Sequence, residues 1–460
     1  MRYLVPVCVF AFLLASGLGA CKKKINFSMD HLNFSTDTLV FDTVFTTIGS
    51  TTKNFKFYNP SKAILNIEEI ELMGGESSPF RINIDGIKGH FIRNIEMEGK
   101  DSLFAFIEVT LSVNSGNLPM IVEDRIRFRS NGKDQFVQLA VWGQDAYFHY
   151  NDVNEGTWPS DKPHVIYGFA GVDSATVLEI QAGTQIHLHK NSLLFNYKGT
   201  ININGTKDNK VVIQGDRLEL SYSNIPGQYY GVYFQEARPS VFEHVEVKNG
   251  IAGIHLFSRD EDFNDYTLTL RNSELHHHSR YGLFIFQGAR VKVENTIIHK
   301  NTIHAMLVLG GGDFNLNYCN LLGYASQGTP AVGISNFYSD PSTNTTTVSS
   351  INEGTMTNCI ITGNQPSELA FDTLNVQGVD LSFQFKNCLI ALENIPTSAH
   401  YQNTIWNADP AFVDIVESDY SYFSNSPLHG AADDNFYLPF DFFVNGRVSG
   451  NSDIGAIEIP

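Results

Sequence analysis

Past its first twenty residues this sequence reads as strand and turn throughout: an all-β chain in two parts, antiparallel strands first and stacked parallel coils after. Three observations predict this. Stretches of alternating apolar and polar residues follow one another from about residue 26 to 146, a repeat of about 23 residues with one apolar column emerges after Phe242, and neither part carries helical patterning.

The chain has 460 residues, 42% hydrophobic and 12% aromatic against 17% charged, which is enough apolar material for a large core and too much for disorder. Its length suits two domains or one repeat architecture. The net charge is −18, with the acidic residues scattered along the chain. Phosphate binding needs clustered Lys and Arg, so nucleic acid is excluded as a partner.

The N-terminus opens with Arg2 and the apolar run YLVPVCVFAFLLASGLGA before Cys21. A short basic start followed by an apolar run of this length reads as a secretory signal over residues 1–20. Leu18-Gly19-Ala20-Cys21 resembles the bacterial lipobox, which implies cleavage before Cys21, lipidation of its sulfur and a tether over 21–25. Lys22 to Lys24 would then sit at lipid headgroups. The expectation is a protein held by its lipid on the outer membrane, with the periplasmic or cell-surface face left open.

Residues 26–146 contain FKFYNPS, AILNIEEIEL, FRINIDG, LFAFIEVTLSV, RIRFRSNG and QFVQLAVWGQ. Period-two alternation at this spacing predicts an antiparallel sandwich of immunoglobulin size. The order Gly-Ser, Phe, Asn-Pro, Leu-Asn-Ile within FDTVFTTIGSTTKNFKFYNPSKAILNIEEIEL resembles the Hydin-like, immunoglobulin-fold modules of bacterial surface proteins. Residues 147–163, YFHYNDVNEGTWPSDKP, read as a polar and aromatic linker.

From 164 to 460 the texture changes. Aligning EHVEVKNG, NSELHHHS, NTIIHKNT, YCNLLGYA, NCIITGNQ and NCLIALEN puts Val247, Leu275, Ile298, Leu321, Ile361 and Ile390 in one column. Two positions earlier stand Val245, Ser273, Thr296, Cys319, Cys359 and Cys388. Alternate residues of a strand share a face, so both columns point inward. A single coil of about 23 residues cannot bury its own face, and stacking solves that: the prediction is a right-handed parallel β-helix. Leucine-rich repeats share the period, but their residue order is missing. The three thiols are expected to be free and buried. The polar insertion SNFYSDPSTNTTTVSSINEGT should leave the coil as a loop.

VLEIQAGTQIHLHKNSLLFNYKGTININGT resembles the opening coils of pectate-lyase-like β-helices, and Ser426-Pro427 with Asp453-Ile454-Gly455-Ala456 resembles their closing tail. With the lipobox, the whole chain resembles an uncharacterised β-helix lipoprotein of the Bacteroidetes type. That resemblance implies a cell-envelope protein and assigns no catalytic residue.

Three clusters could carry chemistry. In His276-His277-His278 the repeat places His276 beside His299 of the next coil and Lys248 of the previous one, on the outer face. Two imidazoles could share a metal, yet Leu322, Thr362 and Ala391 follow in the column and Lys248 repels a cation. No metal is expected, with His276 and His299 the residues to watch. Asp260-x-Asp262-x-Asn264 resembles the start of a calcium loop, but Asp265 and Arg271 replace its Gly and Glu. No cofactor is expected, and calcium is the one cation this loop suggests. No carboxylate recurs as a stacked pair. In SYSNIPGQYYGVYF, finally, Tyr229, Tyr230 and Tyr233 are candidates for stacking on sugar rings.

The functional expectation is a lipid-anchored envelope protein whose β-helix binds a glycan or a protein partner without catalysis. The alternative is a polysaccharide lyase or glycoside hydrolase on the same scaffold, which fold analogy alone supports.

Overall fold

The computed structural model describes residues 27–113, 120–259 and 265–459. The signal segment 1–20, Cys21 with its tether, and Asp260 and Asp262 lie outside the described residues. The chain divides into two compact units, Met1–Asp145 and Ala146–Pro460.

The first unit is a sandwich of two five-stranded sheets. In one, Lys53–Tyr58 and Phe80–Ile84 flank Ser102–Val109. In the other, Thr38–Phe45 runs parallel to Lys133–Gln144, which pairs antiparallel with Met120–Ser130. The alternation in the sequence becomes the burial pattern: Phe55, Phe57, Ile67, Phe80, Phe128 and Val137 point between the sheets and are almost fully buried.

In the second unit each complete coil contributes one strand to each of three faces. The first face stacks Gln185–Leu188, Val211–Gly215, Val245–Lys248, Glu274–His276, Ile297–His299, Asn320–Gly323 and Ile360–Gly363, all parallel. The second stacks Leu193–Tyr197, Gly231–Gln235, Ala252–Phe257, Tyr281–Phe286, His304–Leu309 and Val332–Ser335. The third is a ten-stranded parallel sheet. Val247, Leu275, Ile298, Leu321, Ile361 and Ile390 pair in register along the first face, each fully buried. Cys319, Cys359 and Cys388 are free and buried, their thiols facing backbone carbonyls.

Between the third and first faces the later coils turn on one residue in the left-handed region: Asn272, Asn295, Asn358, Asn387 and Asn403, with φ between 46° and 53°. Asn tolerates this conformation better than other side chains with a Cβ, because its short amide can bond locally. Tyr318 and His244 hold the same place with φ of 54° and 49°.

One sequence expectation needs correction. Residues 147–163 are not a linker: Tyr147–Val153 pairs parallel with His164–Val172, and Gly156–Trp158 with residues 178–180. They form the first coil. An end coil has a stacked coil on one side only, which accounts for its polar composition, while its His149 and Trp158 stack with His164 of the next coil, ring centroids 4.3 to 5.3 Å apart. The insertion after Ser335 leaves the coil, and does so as a hairpin, Phe337–Asp340 against Thr345–Val348.

The C-terminal residues 407–459 lie over the outer side of the first face. Tyr420, Tyr422, Leu428, Ile454, Ala456 and Ile457 pack against the outward Ile297, Leu322, Ile360 and Leu389. The side-chain amides of Asn295, Asn317, Asn358 and Asn387 donate to the carbonyls of Phe440, Phe436, Asp433 and Ala431 at 2.8 to 3.3 Å. Arg447, its side chain fully buried, bonds Glu458, Asn295 and three carbonyls while lying over the Tyr318 ring.

Candidate functional site

The histidine run resolves into three separate roles. His278 is a core residue: the Gly250 N–H donates to its Nδ1 at 3.1 Å, and its Nε2–H reaches the Val247 carbonyl at 3.1 Å. Burial, then His276, pushes it down to about 3, so it is neutral. His276 stacks on His299 with ring centroids 5.0 Å apart and 9° between planes, as the repeat alignment requires. Both sit on the outer side of the strand, yet both are buried, and Tyr420 of the C-terminal segment covers His299. His277 meets them edge-on, its Nδ1 2.6 Å from that of His276.

The column beside these imidazoles holds what the sequence reading missed. Glu246 and Glu274 pair in register on adjacent strands, correcting the expectation that no carboxylate pair is stacked. Glu246 takes Lys210, Lys248 and His276 as partners. Burial alone would raise its pKa, but His276 and then the two lysines outweigh burial and hold it well below the carboxylate range. Glu274 accepts the Nε2–H of His299 at 2.8 Å, leaving Nδ1 to accept the Tyr420 hydroxyl at 3.0 Å. A pocket of about 220 Å³ lies against both carboxylates, with Lys207, His244 and Phe442 among its other walls. Among the described residues no set of three His, Cys, Asp or Glu side chains is arranged to hold a metal ion.

The tyrosine cluster divides as well. Tyr229 is 1% exposed and its hydroxyl donates to the carbonyls of Ile213 and Lys248, so it is core and cannot meet a ligand. Tyr233 points outward from the second face in a column with Phe195, His255 and Phe284, each half-buried. Its ring lies 5.5 Å from Phe195 and 4.7 Å from His255, which lies 4.5 Å from Phe284. Tyr230 joins the column from the side, its hydroxyl 2.7 Å from His255 Nδ1. A second outward column carries Phe257 and Phe286, with Tyr338 of the hairpin set edge-on against Phe286 at 5.1 Å.

Immediately past Phe257 and Phe286 the chain turns toward the third face, and there a cleft of about 790 Å³ opens, walled on one side by the hairpin. Arg259, Gln287, Arg290 and Asp313 are among its lining residues. Arg290 bonds Asp313 at 3.0 Å and lies over the Tyr266 ring. Glu353 accepts the Tyr266 hydroxyl and the Asn315 amide. Asp313 accepts the backbone N–H groups of Asn352 and Glu353. The cleft is thus polar and cross-braced, and Ser258 and Gln287 of its lining directly follow Phe257 and Phe286 in the chain. The volume falls within the range of ligand sites.

Comparison with known proteins fits this geometry. The profile of a family described as "Right handed beta helix region" matches residues 141–322 and 200–365. The second unit is a right-handed parallel β-helix. The match begins six residues before the corrected first coil and spans it, the histidine cluster and the aromatic columns of the β-helix. No curated protein matches the chain. Among solved structures, a family 123 glycoside hydrolase from Clostridium perfringens aligns at TM-score 0.19 and 8% identity, over 26% of this chain and 30% of that one. A PapD-like domain of human CEP192 aligns at 0.17 and 10%, over 26% and 96%. The periplasmic chaperone SfaE aligns at 0.16 and 10%, over 25% and 58%. At such scores the chain is tied to none of the three.

Proposed function

We propose that this chain is an exported envelope protein, anchored to the outer membrane through lipid on Cys21, whose β-helix binds a polysaccharide on its second face and in the adjoining cleft without cleaving it. The observation that carries this reading is the pair of outward columns, Phe195–Tyr233–His255–Phe284 and Phe257–Phe286, which recur coil by coil, the second of them one residue from the lining of a polar cleft. A surface repeating every ~4.8 Å suits a ligand that itself repeats. Stacked neighbours cover one another's ring faces, so the columns offer ring edges with polar tips such as the Tyr230 hydroxyl, and the cleft supplies the hydrogen-bonding groups.

The hydrolase or lyase alternative has one specific support, the stacked Glu246 and Glu274 beside their pocket. Glycoside hydrolysis needs one carboxyl kept protonated as the acid. Glu246 is instead held ionised by two lysines and His276, and Glu274 spends itself on His299. Hydrolysis through this pair is therefore disfavoured, and the repeating outward columns favour a glycan over a protein partner.

The test is a glycan panel probed with the protein lacking residues 1–20, scored for both retention and new chain ends. Retention that weakens in Tyr233→Ala and Phe286→Ala, without cleavage, supports the reading. Cleavage of any retained glycan sinks it.

A further inference from the structure

The two sheets of the first unit carry their outward charges differently. On the sheet that holds Met120–Ser130, Arg127 pairs with Glu69 and Glu71, and Arg129 with Asp134. On the other sheet Ser102–Val109 is the central strand and turns Phe104 and Phe106 outward, 40% and 39% exposed, at positions where a solvated sheet face carries polar side chains. Strand register sets Lys56 beside Phe104, and Asn54 and Asn83 on either side of Phe106.

A pocket of about 540 Å³ opens at Phe106, walled also by Thr52, Arg81, Asn83, Lys88 and Glu108. Its one acid, Glu108, accepts the Thr52 hydroxyl at 2.9 Å. Arg81 Nη1 donates to the carbonyls of Ser78 and Phe80, and neither Arg81 nor Lys88 meets a carboxylate among the described residues. Asn83 Oδ1 is buried and has no hydrogen-bond partner. An acceptor left unpaired in this way costs free energy, which a ligand hydroxyl would recover.

We propose that this pocket of the first unit binds an acid-bearing sugar, a site additional to the second face of the β-helix. Phe106 meets the apolar CH side of the sugar ring, Asn83 accepts from a hydroxyl, and Arg81 and Lys88 take the carboxylate. Charge sets the class of ligand: two cations face one acid here, in a chain whose net charge is −18. Screening over about 8 Å at physiological salt leaves these near cations, rather than the distant acids, to decide what binds. Shape separates a sugar from a lipid surface, since the cations and the unpaired acceptor stand in the walls of a concavity that a flat headgroup layer does not enter.

Lysine acetylation of the chain lacking residues 1–20, read by mass spectrometry with and without added ligand, tests this at the site itself. The probes are short oligomers of galacturonate, glucuronate and mannuronate, each beside its methyl ester. At least one acid should slow acetylation of Lys88 about fivefold or more at saturation, leaving Lys62 and Lys133 unchanged. Its ester should bind about tenfold more weakly, having lost two exposed ion pairs. Phe106→Ala, which removes an exposed ring and leaves the core intact, should weaken protection up to about tenfold. Tyr233→Ala on the β-helix should leave it unchanged. Acetylation of Lys88 that no oligomer slows overturns the site, even where the β-helix retains a glycan. So does protection given equally by acid and ester, or undiminished in Phe106→Ala. Protection of Lys88 by phosphatidylglycerol vesicles and by no oligomer would assign the pocket to a lipid surface instead.

Discussion

Single residues in this chain differ sharply in role even when they are neighbours. Tyr229 and Tyr233 lie four positions apart, one locked in the core by two carbonyls and the other half-open on the second face. Tyr229→Phe leaves those carbonyls without that donor and should cost about 1–3 kcal/mol in urea unfolding, with glycan retention unchanged. Tyr233→Ala removes ring contacts worth about 0.5–1.5 kcal/mol, and on the proposed function weakens retention by up to about tenfold. A retention assay that ranks the two variants the other way would remove the second face from consideration. The same contrast separates the histidines: His278 is satisfied at both ring nitrogens by backbone, whereas His299 depends on a side chain from 121 residues away.

At the scale of elements, the turn asparagines join local geometry to long-range packing. Asn358 adopts φ of 53° and also bonds both the carbonyl and the N–H of Asp433. Asn358→Ala should lose about 3 kcal/mol, and Asn358→Gly about 1 kcal/mol less, since glycine recovers the left-handed turn but not the clamp. Urea midpoints of the two variants measure the difference. The same turns explain what could be read from the sequence. From Asn272 onward a one-residue corner keeps every coil in phase, so the column Leu275 to Ile390 stands out. Earlier coils join third face to first through longer stretches such as 205–210, which shift the phase and hide both the first coil and the stack of its His149 and Trp158 on His164. The cover on the first face had a signal too: Ile297-Ile298, Leu321-Leu322 and Ile360-Ile361 are apolar on both sides of the strand, the mark of a strand buried on both faces. Glu246 and Glu274 escaped notice because Ile297 follows them in the column and two positions do not make a pattern.

For the molecule as a whole, buried imidazoles set the response to acid. His164, His187 and His255 are held down to about 4 and His278 to about 3, in each case chiefly by burial. The unfolded chain takes up protons at these sites from about pH 6.5 downward and the folded chain does not until about 4, so stability is lost between those values. Below about pH 4.5 a second loss begins as Glu246, whose folded pKa is depressed, contributes less. A thermal midpoint flat above pH 7, falling through pH 6 to 4 and falling again below, is the expected profile; a midpoint constant down to pH 4.5 would contradict it.

The asparagine seam has one further consequence. Ala431, Asp433, Phe436 and Phe440 each meet an asparagine of a different coil, Asn387, Asn358, Asn317 and Asn295 in turn, so residues 431–440 run against the direction of winding and bond one corner asparagine per coil. The tail is a ruler laid along the stack. Parallel coils by themselves set no limit on their own number, whereas a ruler with fixed graduations does. Deleting or inserting one coil between Asn295 and Asn387 would preserve every strand pairing yet leave the graduations out of step, so the length of this β-helix is counted by the segment that closes it.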